Sequence, residues 1–138
     1  EYTDFYKQYG VKAMPLEELL SYSDIVSLHV PLDNSTLEML SKDRLLLMKP
    51  TSILINLARG GLVDEIFLTK ILTENKIAGA AFDVFLSEPP LNQNLLELTN
   101  FISTPHIGGS SKEAVLAMGS AAIKGLDNNE IPSKLIFP

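Results

Sequence analysis

The chain has 138 residues, 46% of them apolar and 20% charged, with 11 basic and 17 acidic residues for a formal net charge of −6. That balance describes one ordinary globular domain, large enough to bury a core without staples. The lack of cysteine excludes disulfides, thiolate chemistry and zinc held by sulfur, and two arginines without a basic cluster leave no footprint for nucleic acid or an anionic membrane.

Residues 1–9 read as the tail of a helix ahead of the isolated Gly10, and Val11–Met14 as a short strand. Pro15 suits the first position of a helix carrying Leu16, Leu19 and Leu20, where its missing N–H has no partner in any case. Ile25–Val30, stopped by Pro31, is a nearly continuous aliphatic run, as expected of a parallel strand covered on both faces. Ser41 is placed to cap a helix over Lys42–Met48, which Pro50 stops. A second such run, Ile53–Ala58, ends at Gly60-Gly61. Asp64 then caps Glu65–Glu74, whose Ile66, Leu68, Ile71 and Leu72 form an apolar face and which Asn75 terminates. Ile77–Phe85 and Phe101–Ser103 supply two more strands, and Ser110-Ser111-Lys112-Glu113 reads as a capping box opening a long helix towards Leu126. None of these runs approaches the about 20 residues needed to span a bilayer. The opening Glu1-Tyr2-Thr3-Asp4 is unlike a signal peptide, so a cytoplasmic protein is expected.

Strand alternating with helix predicts an α/β doubly wound parallel sheet, in which ligands gather at the carboxyl ends of the strands. Those ends carry His29-Val30-Pro31, Ala58-Arg59-Gly60-Gly61, Asp83 to Pro90, and Thr104-Pro105-His106-Ile107-Gly108-Gly109. Taken singly, Arg59 also reads as half of a structural ion pair, His106 as a satisfied core histidine and Glu88 as a loop carboxylate. Together, a guanidinium, an imidazole and a carboxylate at neighbouring strand ends can hold, polarise and deprotonate a small hydroxy acid. No group of residues has the spacing of a metal site, and none is expected.

These segments, in this order and with 29 positions from Arg59 to Glu88 and 18 from Glu88 to His106, resemble the D-isomer-specific 2-hydroxyacid dehydrogenases. Ser23 to Leu32 followed by Thr36, Ile55 to Glu65, Ala81 to Phe85 with Glu88-Pro89, and Thr104 to Gly109 carry the likeness, closest to the phosphoglycerate dehydrogenase branch. The resemblance implies a Rossmann-type sheet and hydride transfer between a small 2-hydroxy or 2-oxo acid and NAD, with NADP not excluded. It implies that Arg59 binds the substrate carboxylate, that His106 carries the proton, and that Glu88 orients His106 and favours its protonated form. By the same likeness Val30, Pro31, Leu57, Ala58, Arg59, Asp83, His106, Gly108 and Gly109 lie against the nicotinamide and its ribose, with Asp83 towards the carboxamide. Thr36 reads more simply as a turn cap.

The Gly-x-Gly-x-x-Gly loop that cradles pyrophosphate in such sheets is not among these residues, and Asp4 reads as a surface charge rather than a ribose ligand. The expectation is therefore a fragment. Residues 1–127 would form the C-terminal portion of a dinucleotide-binding domain lacking its first strand, and residues 128–138 a tail returning towards an absent substrate domain. Such a fragment should bind cofactor weakly and turn over slowly or not at all, and the complete enzyme is expected to be a homodimer. The alternatives are a dinucleotide-sensing module of the corepressor type found in the same family, or an inactive truncated relative.

Overall fold

The structure is a computed structural model and describes residues 3–127, so the expected tail at 128–138 lies outside the described residues. Among the described residues six α-helices and four strands follow one another as α1 (Thr3–Tyr9), α2 (Leu16–Tyr22), β1 (Ile25–Leu28), α3 (Lys42–Leu45), β2 (Ile53–Asn56), α4 (Glu65–Thr73), β3 (Gly79–Phe82), α5 (Gln93–Leu96), β4 (Phe101–Ser103) and α6 (Lys112–Asp127). The four strands form one parallel sheet in the order β1-β2-β3-β4. Each crossover steps the same way, so the described sheet is one half of a doubly wound arrangement, without the reversal of strand order that such sheets show at their centre.

Register sets the position of the site. Leu28 lies opposite Asn56, Asn56 opposite Phe82, and Phe82 opposite Ser103. All four strands therefore end on one line, and the segments after them emerge side by side along a single edge. The strands are shorter than the aliphatic runs predict: β1 stops before Val30 and β2 before Ala58. The last residues of each run leave the ladder to build those segments.

One face of the sheet is packed against the helices through Val26, Leu28, Leu54, Ala80, Phe82 and Phe101, with Leu20, Leu45, Leu68, Ile71, Leu72 and Leu95 facing them. The other face departs from expectation. Ile25 and Ile102 are 62% and 68% exposed, and β1 and β2 alternate in burial although their sequences do not alternate in polarity. With every crossover stepping one way, α3, α4 and α5 fall on one side, and the opposite face is left open at Ile25 of β1 and Ile102 of β4.

Capping chemistry explains the helix boundaries. Asp64 accepts the Phe67 N–H at 2.9 Å and starts α4. Asn75, at φ 52°, ends it, with its own N–H reaching the Leu72 carbonyl and that of Lys76 reaching Ile71, the paired closure of a left-handed cap. Other expectations are corrected. Pro15 precedes α2 as its cap, with ψ 148°, instead of occupying the first helical position. Val11–Met14 joins no strand, because the sheet places no neighbour beside it. Finally, α3 ends at Leu45, short of Met48. At α6 the cap is Ser111, whose Oγ accepts the Ala114 N–H at 3.1 Å, one residue later than the predicted box and without its reciprocal glutamate bond. The short helix α5, capped by Asn92 through the Leu95 N–H, had no apolar periodicity to announce it.

Candidate functional site

Seven of the ten predicted site residues line two hollows along the carboxyl edge, and Asp83, Gly108 and Gly109 line neither of these two. The first, about 430 Å3, is lined by Val30, Pro31, Leu57, Ala58 and Arg59, with His29 beside them. The second, about 240 Å3, is lined by Phe85, Glu88, Pro89, Pro90, Pro105 and His106. A larger hollow of about 600 Å3 opens between α4 and the 86–94 loop but holds none of the predicted residues.

In the first hollow the end of β2 is shaped by Asn56, a fully buried residue. Its amide donates to the Arg59 carbonyl at 2.8 Å and its Oδ1 accepts the Ala58 N–H at 3.1 Å, so one side chain closes the turn that presents Arg59. Sequence reasoning passed over Asn56, although a polar residue inside an aliphatic run is the signal that could have found it. The two arginines have different surroundings. Arg44 is tied to Glu17 at 2.9 Å and to the Met39 carbonyl at 2.9 Å. Arg59 donates to the Ala58 carbonyl at 2.7 Å and forms no ion pair among the described residues, leaving most of its five donors available to an anion. The ion-pair reading therefore belongs to Arg44. Thr36 is the expected turn cap: its hydroxyl donates to the Pro31 carbonyl at 2.8 Å and holds the segment leaving β1.

In the second hollow His106 Nδ1 lies 2.7 Å from Glu88 Oε2. The other carboxylate oxygen, Oε1, accepts the Phe85 N–H at 3.1 Å. The His106 bond and then the Phe85 N–H hold the Glu88 carboxyl below its ordinary range, so it is ionised through neutrality. An ionised carboxylate only accepts, which assigns the Nδ1 proton to histidine and leaves Nε2 for chemistry.

His106 has a left-handed backbone, φ 54°, a conformation costing a non-glycine residue about 1–2 kcal/mol. Asp83 holds it there. This residue is 4% exposed, and its carboxylate accepts the Ile107 N–H at 2.8 Å, the Gly108 N–H at 2.8 Å and the Thr104 hydroxyl. Burial pushes the Asp83 carboxyl up, but these three donors together outweigh it and leave the group below its ordinary range. Gly108 is required by space, since a Cβ there would stand 2.9 Å from Asp83 Oδ2, whereas Gly109 has nothing within 4 Å. Gly60, which follows Arg59, lies directly on the Phe85–Leu86 peptide and so packs the end of β2 against the segment that carries Phe85 of the second hollow. No hydrogen bond joins Arg59 to His106 or Glu88 among the described residues, so the structure gathers the predicted residues as two neighbouring groups.

Comparison with known proteins identifies the family. A family model described as the NAD binding domain of D-isomer specific 2-hydroxyacid dehydrogenases matches residues 2–108. The chain is 47% identical over 133 residues to the glyoxylate reductase of Pyrococcus furiosus, covering 94% of this chain and 40% of that protein. Among solved structures it resembles an acyclic imino acid reductase in complex with NADPH and D-Arg, at 33% identity and TM-score 0.82, covering 87% of this chain and 38% of the other. It also resembles the NAD-complexed D-isomer specific 2-hydroxyacid dehydrogenase of Lactobacillus delbrueckii ssp. bulgaricus, at 28% identity and TM-score 0.76, covering 89% of this chain and 43% of the other. The chain thus spans about 40% of the length of the curated relative it matches. With the parallel sheet, the Arg59 turn and the His106–Glu88 pair in their motif positions, the chain belongs to the D-isomer specific 2-hydroxyacid dehydrogenase family, as part of its NAD-binding domain.

Proposed function

We propose that this segment supplies the acid–base and carboxylate-binding groups of an NAD(P)-linked oxidoreductase acting on small 2-hydroxy and 2-oxo acids. The observation that carries the proposal is the Glu88–His106 pair at 2.7 Å on the same sheet edge as an arginine without an acidic partner among the described residues. Arg59 takes the substrate carboxylate through paired N–H bonds. His106 Nε2 accepts the C2 hydroxyl proton on oxidation and returns it to the C2 oxygen on reduction, while Glu88 holds Nδ1–H and stabilises the imidazolium between the two. Asp83 maintains the turn that aims the ring.

The residues fit one end of a dinucleotide. The hollow of Val30, Pro31, Leu57 and Ala58 offers apolar walls and strand-end backbone to a nicotinamide and its ribose, with Gly108 and Gly109 beside His106 on the other side. NAD or NADP bound there supplies the hydride acceptor or donor. Homodimerisation of the complete enzyme and a cytoplasmic location belong to the same proposal. Among the described residues no helix is long and apolar enough to cross a membrane.

The test is a chimera in which this segment replaces the matching 133 residues of the Pyrococcus furiosus glyoxylate reductase. NADH and NADPH oxidation is followed with glyoxylate and with 2-oxo acids of larger side chain. Turnover is expected, and His106→Ala should lower kcat by about 100- to 10,000-fold, the usual worth of a positioned proton carrier. A His106→Ala chimera as fast as its parent refutes the assignment.

A further inference from the structure

The loop that carries Glu88 is exposed from Leu86 to Pro89, yet Glu88 keeps a short bond to a residue 18 positions away. An exposed loop holds a side chain to one geometry only where its backbone is anchored. Two consecutive backbone N–H groups provide the anchorage here, and each is taken by a carboxylate. Glu88 Oε1 accepts the Phe85 N–H at 3.1 Å, and Glu65 Oε1 accepts the next one, that of Leu86, at 2.7 Å across 21 positions of sequence. At the far end of the loop the Asn92 amide donates to Thr69 Oγ1 of α4 at 2.8 Å.

An acid in the first turn of a helix is ordinarily a solvated side chain complementing the helix dipole. Glu65 is different: it is half-buried, and its carboxylate is spent on another segment of the chain. Burial pushes its carboxyl above the ordinary range although the Leu86 N–H pulls it down, so the contact is kept against a desolvation cost.

We propose that Glu65 is a positioning residue of the acid–base pair: by holding the Leu86 N–H it pins the loop to α4 and keeps the Glu88 carboxylate seated on His106 Nδ1. Without it the Phe85–Leu86 peptide loses its hydrogen-bonded anchor, and the freedom passes through the Phe85 Cα to the adjoining Val84–Phe85 peptide, whose N–H orients Glu88. The proposal rests on the reading of His106 as the proton carrier, but its test does not require turnover.

The chain holds two histidines, so the imidazole nitrogen-15 spectrum contains two rings, and a His29→Gln sample assigns them. In its neutral form His106 of the parent chain should carry its proton on Nδ1, where Glu88 holds it. Glu65→Gln keeps a carbonyl acceptor and should preserve that signature. Glu65→Ala should convert it to a mixture of tautomers and raise amide exchange at Leu86 by about tenfold or more, the equivalent of one hydrogen bond to a charged acceptor. If the alanine variant does not fold, Glu65→Met, which keeps the bulk without the acceptor, takes its place. An unchanged His106 tautomer alongside faster Leu86 exchange overturns the proposal, as does equal loss in the glutamine and alanine variants. An inactive chimera whose His106 tautomer still depends on Glu65 refutes the dehydrogenase reading alone. An active chimera with a tautomer indifferent to Glu65 refutes the positioning role alone.

Discussion

Gly60 is the point where the two halves of the site touch, and its replacement by alanine tests that contact directly. A Cβ built on Gly60 would stand 1.9 Å from the Phe85 carbonyl carbon, 2.1 Å from its oxygen and 2.2 Å from the Leu86 nitrogen. To reach even the tightest tolerated separation of 3.0 Å, one backbone must retreat from the other by more than an ångström. Neither is free to do so. The Gly60 turn is closed behind it by Asn56, and the Phe85–Leu86 peptide is held by Glu65 through the Leu86 N–H, with Glu88 holding the N–H of the adjoining Val84–Phe85 peptide. Overpacking typically costs about 1–3 kcal/mol when side chains can adjust, so a clash between backbones belongs at about 3 kcal/mol or above. With a urea dependence of roughly 1–3 kcal/mol per molar, Gly60→Ala should lower the unfolding midpoint of the chain by roughly 1–3 M. Far-UV circular dichroism during urea titration reads this directly. Gly109→Ala is the matched control: nothing lies within 4 Å of its Cβ, so it should range from neutral to a gain of about 1 kcal/mol through the unfolded state. A Gly60→Ala midpoint equal to that of the parent, or equal to that of Gly109→Ala, refutes the claim that close approach at Gly60 sets the spacing of the site.

Arg59→Ala in the chimera should raise KM for the 2-oxo acid by about 100-fold, the loss expected when a bidentate ionic contact disappears, and Arg59→Lys should restore only part of it; an unchanged KM removes Arg59 from substrate binding. Asp83→Asn should destabilise the chain by about 2–4 kcal/mol, because one carboxamide oxygen cannot replace a carboxylate that receives three donors. Its pH dependence has a definite sign. The folded state holds the Asp83 carboxyl below its unfolded value of about 3.9, so its contribution is complete above that value and is lost as pH falls through the lower folded one. The gap between parent and Asp83→Asn, measured by urea titration at a series of pH values, should be constant above about pH 5 and narrow on acidification. A gap that widens in acid contradicts the assignment.

The sequence by itself determined the elements whose causes are local. Asp64 starts α4 through one side-chain bond, Asn75 ends it by adopting a left-handed backbone, and the aliphatic runs at Ile25 and Ile53 make strands. It also determined which residue types stand at the strand ends, and hence the candidate chemistry of Arg59, Glu88 and His106, since those motifs are contiguous in the chain. What the tertiary structure decided was partnership. That Arg44 and not Arg59 makes the structural ion pair depends on Glu17, 27 positions away in α2. That Asp83 anchors the His106 turn, and that Glu65 grips the Leu86 N–H, depends on which strand lies beside which. The exposure of Ile25 and Ile102 is not legible in the sequence because an aliphatic run states only that a strand can be buried on both faces. Whether a face is covered is decided by the direction of the crossovers. Local propensity and capping act over a few residues and are written in order along the chain, whereas the second partner of a hydrogen bond or a packed face is supplied by a distant segment, and only folding brings the two together.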